Sequence, residues 1–141
     1  MGSIDILPDA EIEELLATAL VGRIACWSPE QEAGRPYLVP LAYGYDGESV
    51  YAHSGPGRKL RIMRAQPLVS FEVDAAAAAD RWRSVIAEGT FEEISDPTER
   101  AGALRVIYRP PVAVPALGPE TVVFRLRLTK KSGRYEVPDD E

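Results

Sequence analysis

The sequence predicts one mostly β domain, a small antiparallel barrel of six strands with a few short peripheral helices. Three observations lead to this class. The length of 141 residues fits a single domain. Short stretches of alternating apolar and polar residues are separated by brief turns. The sequence lacks the βαβ repeat that is typical of a parallel sheet. No linker or internal repeat divides the chain, so we expect one domain over residues 1–141.

Start and stop signals predict three helices. Pro8 suits the start of the first, which carries apolar residues at i, i+3, i+4 and i+7 spacing. Asp96 is a good N-cap for the last, with Pro97 at the first helical position. The expected ranges are 9–20, 58–65 and a segment that begins at residue 97. For the last helix we expect a buried face made of Ala101, Leu104 and Tyr108.

Six strands follow from period-two alternation and turn residues, and the expected ranges are 22–28, 37–43, 48–53, 69–74, 82–92 and 121–129. Asp46-Gly47 predicts a hairpin turn between the second and third. Gly89 predicts a bulge or bend. We expect the alanine run at residues 75–79 to be a loop, and the residues after Thr129 to form a polar tail.

Composition excludes several classes of function. The formal net charge of −6 disfavours a general nucleic-acid binder, which needs a basic face. Cys26 is the single cysteine and His53 the single histidine, so we expect neither an internal disulfide nor a protein-built metal site. We expect Cys26 to be buried as a small apolar residue. We expect no membrane span, and the acidic N-terminal segment, unlike a secretory signal, predicts a cytoplasmic protein.

Ser54-Gly55-Pro56-Gly57-Arg58-Lys59 is a junction between a predicted strand and a predicted helix. The start of a helix offers unpaired N–H groups and a partial positive charge, which suit a phosphate. Arg58 and Lys59 add charge, and Ser54 adds a hydroxyl donor. Cations at a helix start oppose the helix dipole, which hints at a compensating anion. By itself the segment also fits a solvated turn.

Three other features admit more than one interpretation. Pro40, between Val39 and Leu41, indicates either a plain edge strand or a break that frees backbone groups for a flat ligand. Trp82 and Ser84 share one side of a strand, where a tryptophan serves a ligand cleft, a core or a dimer contact. His53 fits a ligand contact or a structural histidine.

Taken together, the motifs GRIACW, RPYLVPLAYGYDGESVYAHSGPGRKLRIMRAQPLVSFEVD and WRSVIAEGTFEEI resemble the pyridoxamine 5′-phosphate oxidase-like, FMN-binding split-barrel family. The chain is most similar to its nitroimidazole-resistance-like and flavin-nucleotide-binding branch. The resemblance spans residues 16–128. It implies a homodimer of six-stranded antiparallel split barrels with FMN at the subunit interface. Genuine pyridoxamine phosphate oxidases share a C-terminal segment with Arg and His that this sequence lacks, so we expect a different substrate.

The resemblance also implies a set of cofactor-binding residues. Arg58, Lys59 and Ser54 would hold the FMN phosphate, with His53 beside the phosphate and ribityl chain. Val39, Pro40 and Leu41 would line the isoalloxazine ring. Ser84 would lie on the neighbouring strand, and Trp82 would belong to the ligand cleft or to the dimer contact.

The leading functional hypothesis is an FMN-dependent oxidoreductase acting on a small organic molecule. Three alternatives stay open. The first is a deazaflavin-dependent oxidoreductase, and the second is a non-catalytic protein that binds FMN or haem, with His53 as a candidate axial haem ligand. The third is a dimeric barrel without a cofactor. Catalytic residues are not assigned, because a flavin supplies the redox chemistry without a side-chain acid or base. The sequence identifies neither the substrate nor the electron donor.

Overall fold

A computed structural model of the chain describes residues 2–139. This part of the chain contains eight strands, three α-helices and one 3₁₀ turn, Glu32–Gly34. The strands are β1 Ser3–Ile6, β2 Val21–Cys26, β3 Tyr37–Ala42, β4 Gly44–Tyr45, β5 Ser49–Ser54, β6 Leu68–Ala78, β7 Arg81–Ile94 and β8 Val122–Val137. The helices are α1 Asp9–Thr18, α2 Arg58–Ala65 and α3 Pro97–Ile107.

All strands belong to one curled antiparallel sheet, in the order β3-β2-β6-β7-β8-β5-β4, with β1 paired to β8. Alternate residues of each strand point into the curl and form the core, among them Ile24, Phe71 and Leu126, which are almost fully buried. We call this the inner face and the opposite one the outer face. The predicted mostly β split barrel is confirmed, with eight strands in place of the six expected.

The three helices close the curl from both sides. Helices α1 and α2 contribute Leu16, Leu60 and Met63 to the main core. Helix α3 packs on the outer face, where Ala103 meets Val123 in a second, smaller cluster. None of the helices in residues 2–139 is long and apolar enough to span a membrane.

The sequence analysis did not predict β1, the end of β6 or the second half of β8 as strand. Strand β1 is exposed along its whole length and is held by its ladder with β8. Strand β6 continues through Ala78, so the prediction of a loop at residues 75–79 was wrong. Strand β8 runs to Val137, and the expected polar tail after Thr129 was wrong as well. In both cases pairing with β7 overrides weak local strand preference.

Predictions that depend on single residues or short turns agree better with the structure. Asp46-Gly47 forms the turn between β4 and β5, and Gly47 has a φ of +100°. The register between β7 and β8 shifts at Gly89, as expected of a bulge. Pro40 lies on β3, at the edge of the sheet. Cys26 is buried.

The predicted buried face of α3 was wrong. Ala103 and Ile107 are buried there, whereas Ala101 is exposed. Leu104 and Tyr108 are half-buried. The helix therefore contacts the sheet through a stripe rotated from the predicted one, because its apolar residues permit more than one face and packing on β5 decides between them.

Candidate functional site

The junction between β5 and α2 is an open loop with little internal packing. A Cβ atom added at Gly55 or at Gly57 would meet nothing within 4 Å, so neither glycine is required by neighbouring atoms. The Ser54 hydroxyl donates to the Gly55 carbonyl at 2.7 Å. No side chain caps the N-terminus of α2, whose first turn also carries no acidic residue. The first N–H groups of α2 therefore remain available to an anion.

Helix α2 carries four cations, and three of them have carboxylate partners. Arg58 and Arg61 pair with Glu32, and Arg64 pairs with Glu93. Lys59 forms no ion pair within residues 2–139. Its side chain is half-buried, on the side of α2 that approaches β2. Among the cations of this helix, Lys59 is thus the one without a carboxylate partner in the described part of the chain.

The surroundings of Lys59 include the thiol of Cys26. Burial raises the pKa of Cys26 to about 11, and the Lys59 charge opposes that shift in part. A thiol with so high a pKa stays neutral at physiological pH and offers Lys59 no counter-charge. Cys26 is therefore an inert part of the core.

Arg58 joins the loop to β3. Its guanidinium lies over the Tyr37 ring, 5.2 Å from the centroid, and its Nε is 3.0 Å from Glu32 Oε2. The structure thus brings Arg58, one of the predicted phosphate ligands, to the start of β3. Tyr37 and Glu32 were not identified from the sequence. Glu32 lies in a polar loop 26 residues before Arg58, and nothing local signals that contact.

The strand that was expected to line the ring lies at the free edge of the sheet. Val39 and Leu41 are half-buried against the core, whereas Pro40 is exposed and faces Arg23 across the ladder with β2. Because β3 has a strand on one side only, its other backbone edge is free to meet a ligand.

His53 contacts α3 and is turned away from the loop. Its Nε2 is 2.5 Å from the Tyr108 hydroxyl, and the two rings stack with centroids 5.7 Å apart. Burial lowers the pKa of His53, and the Arg100 charge adds to this shift. Since residues alternate along β5, His53 and Ser54 point to opposite faces of the sheet.

Trp82 and Ser84 lie far from the loop in the same chain. Near its start, β3 carries Leu38, which lies on the outer face. Cross-strand pairing puts Leu38 in one row with Ala25 on β2, Ser70 on β6 and Glu88 on β7. Ser84 lies four residues and Trp82 six residues from Glu88 along β7, about 13 and 20 Å at roughly 3.3 Å per residue. The structure does not bring them together with Arg58 and Lys59.

A cavity of about 610 Å³ lies beside Trp82, between the start of α1 and the far ends of β6, β7 and β8. Its walls are mostly small or apolar, and they include Pro8, Ala75, Tyr135 and Val137. Arg83 stands at this cavity with Glu11 and Glu14 at 3.7 and 3.6 Å. This cavity is separate from the β5–α2 loop.

The outer face of β3, β2, β6 and β7 carries large exposed apolar side chains. Leu38 is 67% exposed, Leu68 is 66% exposed and Ile86 is 53% exposed. A groove of about 350 Å³ runs between Trp27 and Leu68 on this face. We call this surface the outer apolar patch. In the middle of the same face, Arg23 pairs with Glu72 and Asp74.

No group of three or more His, Cys, Asp or Glu side chains that suits a metal ion occurs within residues 2–139. The site is thus built from cations, open backbone and an edge strand. These features define a split-barrel protein with an open loop and an uncapped helix start beside an edge strand.

Comparison with known proteins identifies the family. A family model for pyridoxamine 5′-phosphate oxidase matches residues 8–135, and the chain belongs to this family. The resemblance inferred from the sequence is therefore confirmed.

Individual relatives agree with that assignment. An FAD-binding protein from Mesorhizobium loti is 34% identical, with a TM-score of 0.77 over 94% of this chain and 97% of that one. A proposed 5-nitroimidazole antibiotic resistance protein from Bacteroides thetaiotaomicron is 20% identical and shares the fold, with a TM-score of 0.79 over 96% and 89%. An uncharacterized protein of Rhizobium meliloti (strain 1021) is 32% identical over 89 residues, 63% of this chain, and the match spans 56% of that relative's length.

Proposed function

We propose that this protein binds FMN at the β5–α2 loop and acts as an oxidoreductase on a small organic molecule. The observation that carries the proposal is Lys59, a half-buried cation that has no ion pair within residues 2–139 and lies at the start of a helix with uncapped N–H groups. A phosphomonoester dianion matches this arrangement in charge and in hydrogen-bonding capacity. Family membership and the FAD-binding relative from Mesorhizobium loti support a flavin as the bearer of that phosphate.

The residues present fit FMN along its length. Lys59, Arg58 and the Ser54 hydroxyl would hold the phosphate, and the open backbone at Gly55 and Gly57 lets it approach closely. Val39, Pro40 and Leu41 would lie along the isoalloxazine ring, at the free edge of β3. His53 would not contact the phosphate directly, because it lies on the opposite face of β5, at hydrogen-bond distance from Tyr108.

The remaining predicted residues require a second copy of the chain. Trp82 and Ser84 lie on β7, three strands away from β3 across the sheet, about 14 Å at roughly 4.8 Å per strand, so we do not expect them beside a flavin along β3 of the same protomer. The outer apolar patch is the kind of surface that monomers rarely expose and that a two-fold homodimer buries. In such a dimer, Trp82 and Ser84 of one protomer would border the flavin held by the loop of its partner.

A bound flavin supplies hydride and electron transfer, and the protein supplies orientation and a shielded site. Lys59 and Arg58 anchor the phosphate end, which fixes how far the ring reaches along β3. Burial of the outer apolar patch against a second copy would exclude water from the ring. The substrate would enter beside the ring.

Haem is the weaker alternative on structural grounds. His53, the one histidine, has its Nε2 at hydrogen-bond distance from Tyr108, so axial ligation needs that contact to break. FAD and a deazaflavin also join a tricyclic ring to a phosphorylated side chain, but FAD carries a pyrophosphate diester and not the phosphomonoester of FMN. They are distinguished from FMN by affinity.

The test is an anaerobic titration of the purified full chain with FMN, FAD, a deazaflavin and haem, followed by flavin fluorescence and visible absorption. We expect FMN to bind most tightly and Lys59→Ala to weaken it about tenfold or more, since a charge-assisted contact to phosphate is lost. Lys130→Ala is the matched control, because Lys130 is an exposed lysine on β8 paired with Glu88. Equal FMN affinity in wild type and Lys59→Ala contradicts the proposed site.

Turnover is tested separately, on the FMN-loaded protein. Reduced nicotinamide cofactor is added without oxygen, and bleaching of the flavin band is followed. We expect bleaching, and then reoxidation when a nitro compound or a quinone is added. A bound flavin that neither bleaches nor reoxidises contradicts the oxidoreductase and leaves a non-catalytic FMN-binding protein.

A further inference from the structure

Glu32 is placed against the same guanidinium that the phosphate site requires. Its Oε2 lies 3.0 Å from Arg58 Nε, and its Oε1 lies 3.5 Å from Arg61 Nη2. The Glu32 side chain is 23% exposed, less than either arginine. One carboxylate thus bridges two cations on the outer side of α2, next to the loop.

The backbone around Glu32 holds this carboxylate in position. Glu32 and Ala33 both have positive φ, 52° and 54°, in the left-handed region that non-glycine residues rarely adopt. The loop is fastened by the Trp27 indole, which donates to the Gly34 carbonyl at 2.6 Å, and by the Arg35 N–H, which donates to the Glu32 carbonyl. The contact with Arg58 is therefore made from a loop whose backbone is held by hydrogen bonds.

The side chains around the loop carry an excess of positive charge, which Glu32 reduces. Arg58, Lys59 and Arg61 contribute three positive charges, and Glu32 contributes one negative charge. The net charge of two positive matches a phosphomonoester dianion. Glu32 also repels that dianion, because a phosphate on Arg58 has to share the guanidinium with a carboxylate or take it over.

We infer that Glu32 is a built-in competitor of the phosphate, which holds Arg58 in the ligand-free chain and releases it when a phosphorylated flavin binds. The inference rests on the proposed function and adds a residue that determines specificity. Glu32 sets how strongly the site prefers a phosphorylated flavin over an unphosphorylated one. It also makes the affinity dependent on ionic strength, since exposed charges at this spacing are screened by salt.

The experiment compares Glu32→Gln with wild type in the full chain, by fluorescence titration with FMN and with riboflavin, which lacks the phosphate. Glutamine keeps the size of the side chain and removes its charge. We expect FMN affinity to rise about three- to tenfold at low salt, with a smaller gain at high salt. Riboflavin affinity is expected to change less than about twofold, because riboflavin carries no phosphate charge.

Glu30→Gln is the matched control. Glu30 is an exposed carboxylate two residues away in the same loop and forms no ion pair within residues 2–139. A rise in FMN affinity confined to Glu32→Gln supports the inference. FMN affinity within twofold of wild type, or an equal rise in Glu30→Gln or for riboflavin, overturns it. If wild type binds FMN through Lys59 but Glu32→Gln leaves the affinity unchanged, the proposed function stands and only the inference about Glu32 fails. If wild type binds no FMN, the proposed function and the inference both fail.

Discussion

The indole N–H of Trp82 donates a 2.8 Å hydrogen bond to Oε1 of Glu136, its direct neighbour across the β7–β8 ladder. The other carboxylate oxygen, Oε2, accepts the backbone N–H of Gly2 at 2.9 Å. Glu136 is 8% exposed, so this buried carboxylate ties the N-terminal strand and the far end of β7 together. The indole N–H of Trp82 is therefore used inside the protomer, and its ring is what remains for a ligand or a dimer contact.

Glu136→Ala is expected to lower the free energy of unfolding by about 1–3 kcal/mol, because two N–H donors lose their acceptor. Urea unfolding gives the free energy. Trp82 becomes more solvated, so the tryptophan emission shifts to the red. Glu120→Ala, an exposed site in the loop before β8, is the control. If both variants unfold at the same urea concentration, the Trp82–Glu136 contact does not stabilise the fold.

Gly44 and Gly102 are a matched pair for a test of packing. A Cβ atom at Gly44 would lie 2.2 Å from the Val106 carbonyl oxygen on α3, whereas one at Gly102 in α3 would meet nothing within 4 Å. Gly44→Ala is expected to cost about 2 kcal/mol or more of unfolding free energy, because α3 has to move away from β4. Gly102→Ala is expected to stabilise by about 0.5–1 kcal/mol through helix propensity. Thermal unfolding of the two variants with the same sign of shift would contradict the packing of α3 on β4.

We predict that Glu72 makes the free energy of unfolding depend on pH. Burial raises its pKa to about 7, with the Asp74 carboxylate acting in the same direction and Arg23 opposing it. Since the folded-state pKa lies above the ordinary value of 4.5, the folded chain binds this proton more tightly than the unfolded chain. The stabilisation is complete below about pH 4.5 and is lost as the pH rises through 7. Its size is about 1 kcal/mol or less, because the side chain is part-exposed.

The measurement is the free energy of unfolding of wild type and Glu72→Gln from pH 4 to pH 8. The difference, wild type minus variant, is expected to fall across this interval and to level off above pH 7. Glu88→Gln removes a carboxylate from the same face and serves as the control. A constant difference for Glu72→Gln means that the pKa of Glu72 is not raised.

Leu38→Glu tests the proposed dimer. The outer apolar patch contains Leu38, so a buried, unpaired carboxylate there is expected to shift the chain to monomer at micromolar concentration. Sedimentation velocity gives the oligomeric state, and FMN titration gives the linked loss of affinity. Val112→Glu places the same charge on a residue that is 60% exposed in the loop after α3, outside the patch. A wild type that is itself monomeric removes the interfacial site from the proposal.

Much of the candidate site was predictable, because its parts are local in sequence. The loop between β5 and α2, its glycines and the two adjacent cations are contiguous, and the start of α2 was predicted at Arg58 as found. The partners of those cations were not predictable. Glu32 reaches Arg58 across 26 residues, and Tyr108 reaches His53 across 55. Such contacts depend on how the sheet curls.

The sequence by itself determined the elements that short-range physics controls. These include the N-cap, where Asp96 accepts the Glu99 N–H at 3.0 Å, and the turn at Asp46-Gly47. Only the tertiary structure decided that the alanine run joins β6, that β8 continues to Val137, and that Trp82 lies away from Lys59. The reason is that ladder pairing and register are long-range. A weakly strand-forming segment becomes a strand when a neighbouring strand offers it hydrogen bonds, and strand register sets which distant side chains meet.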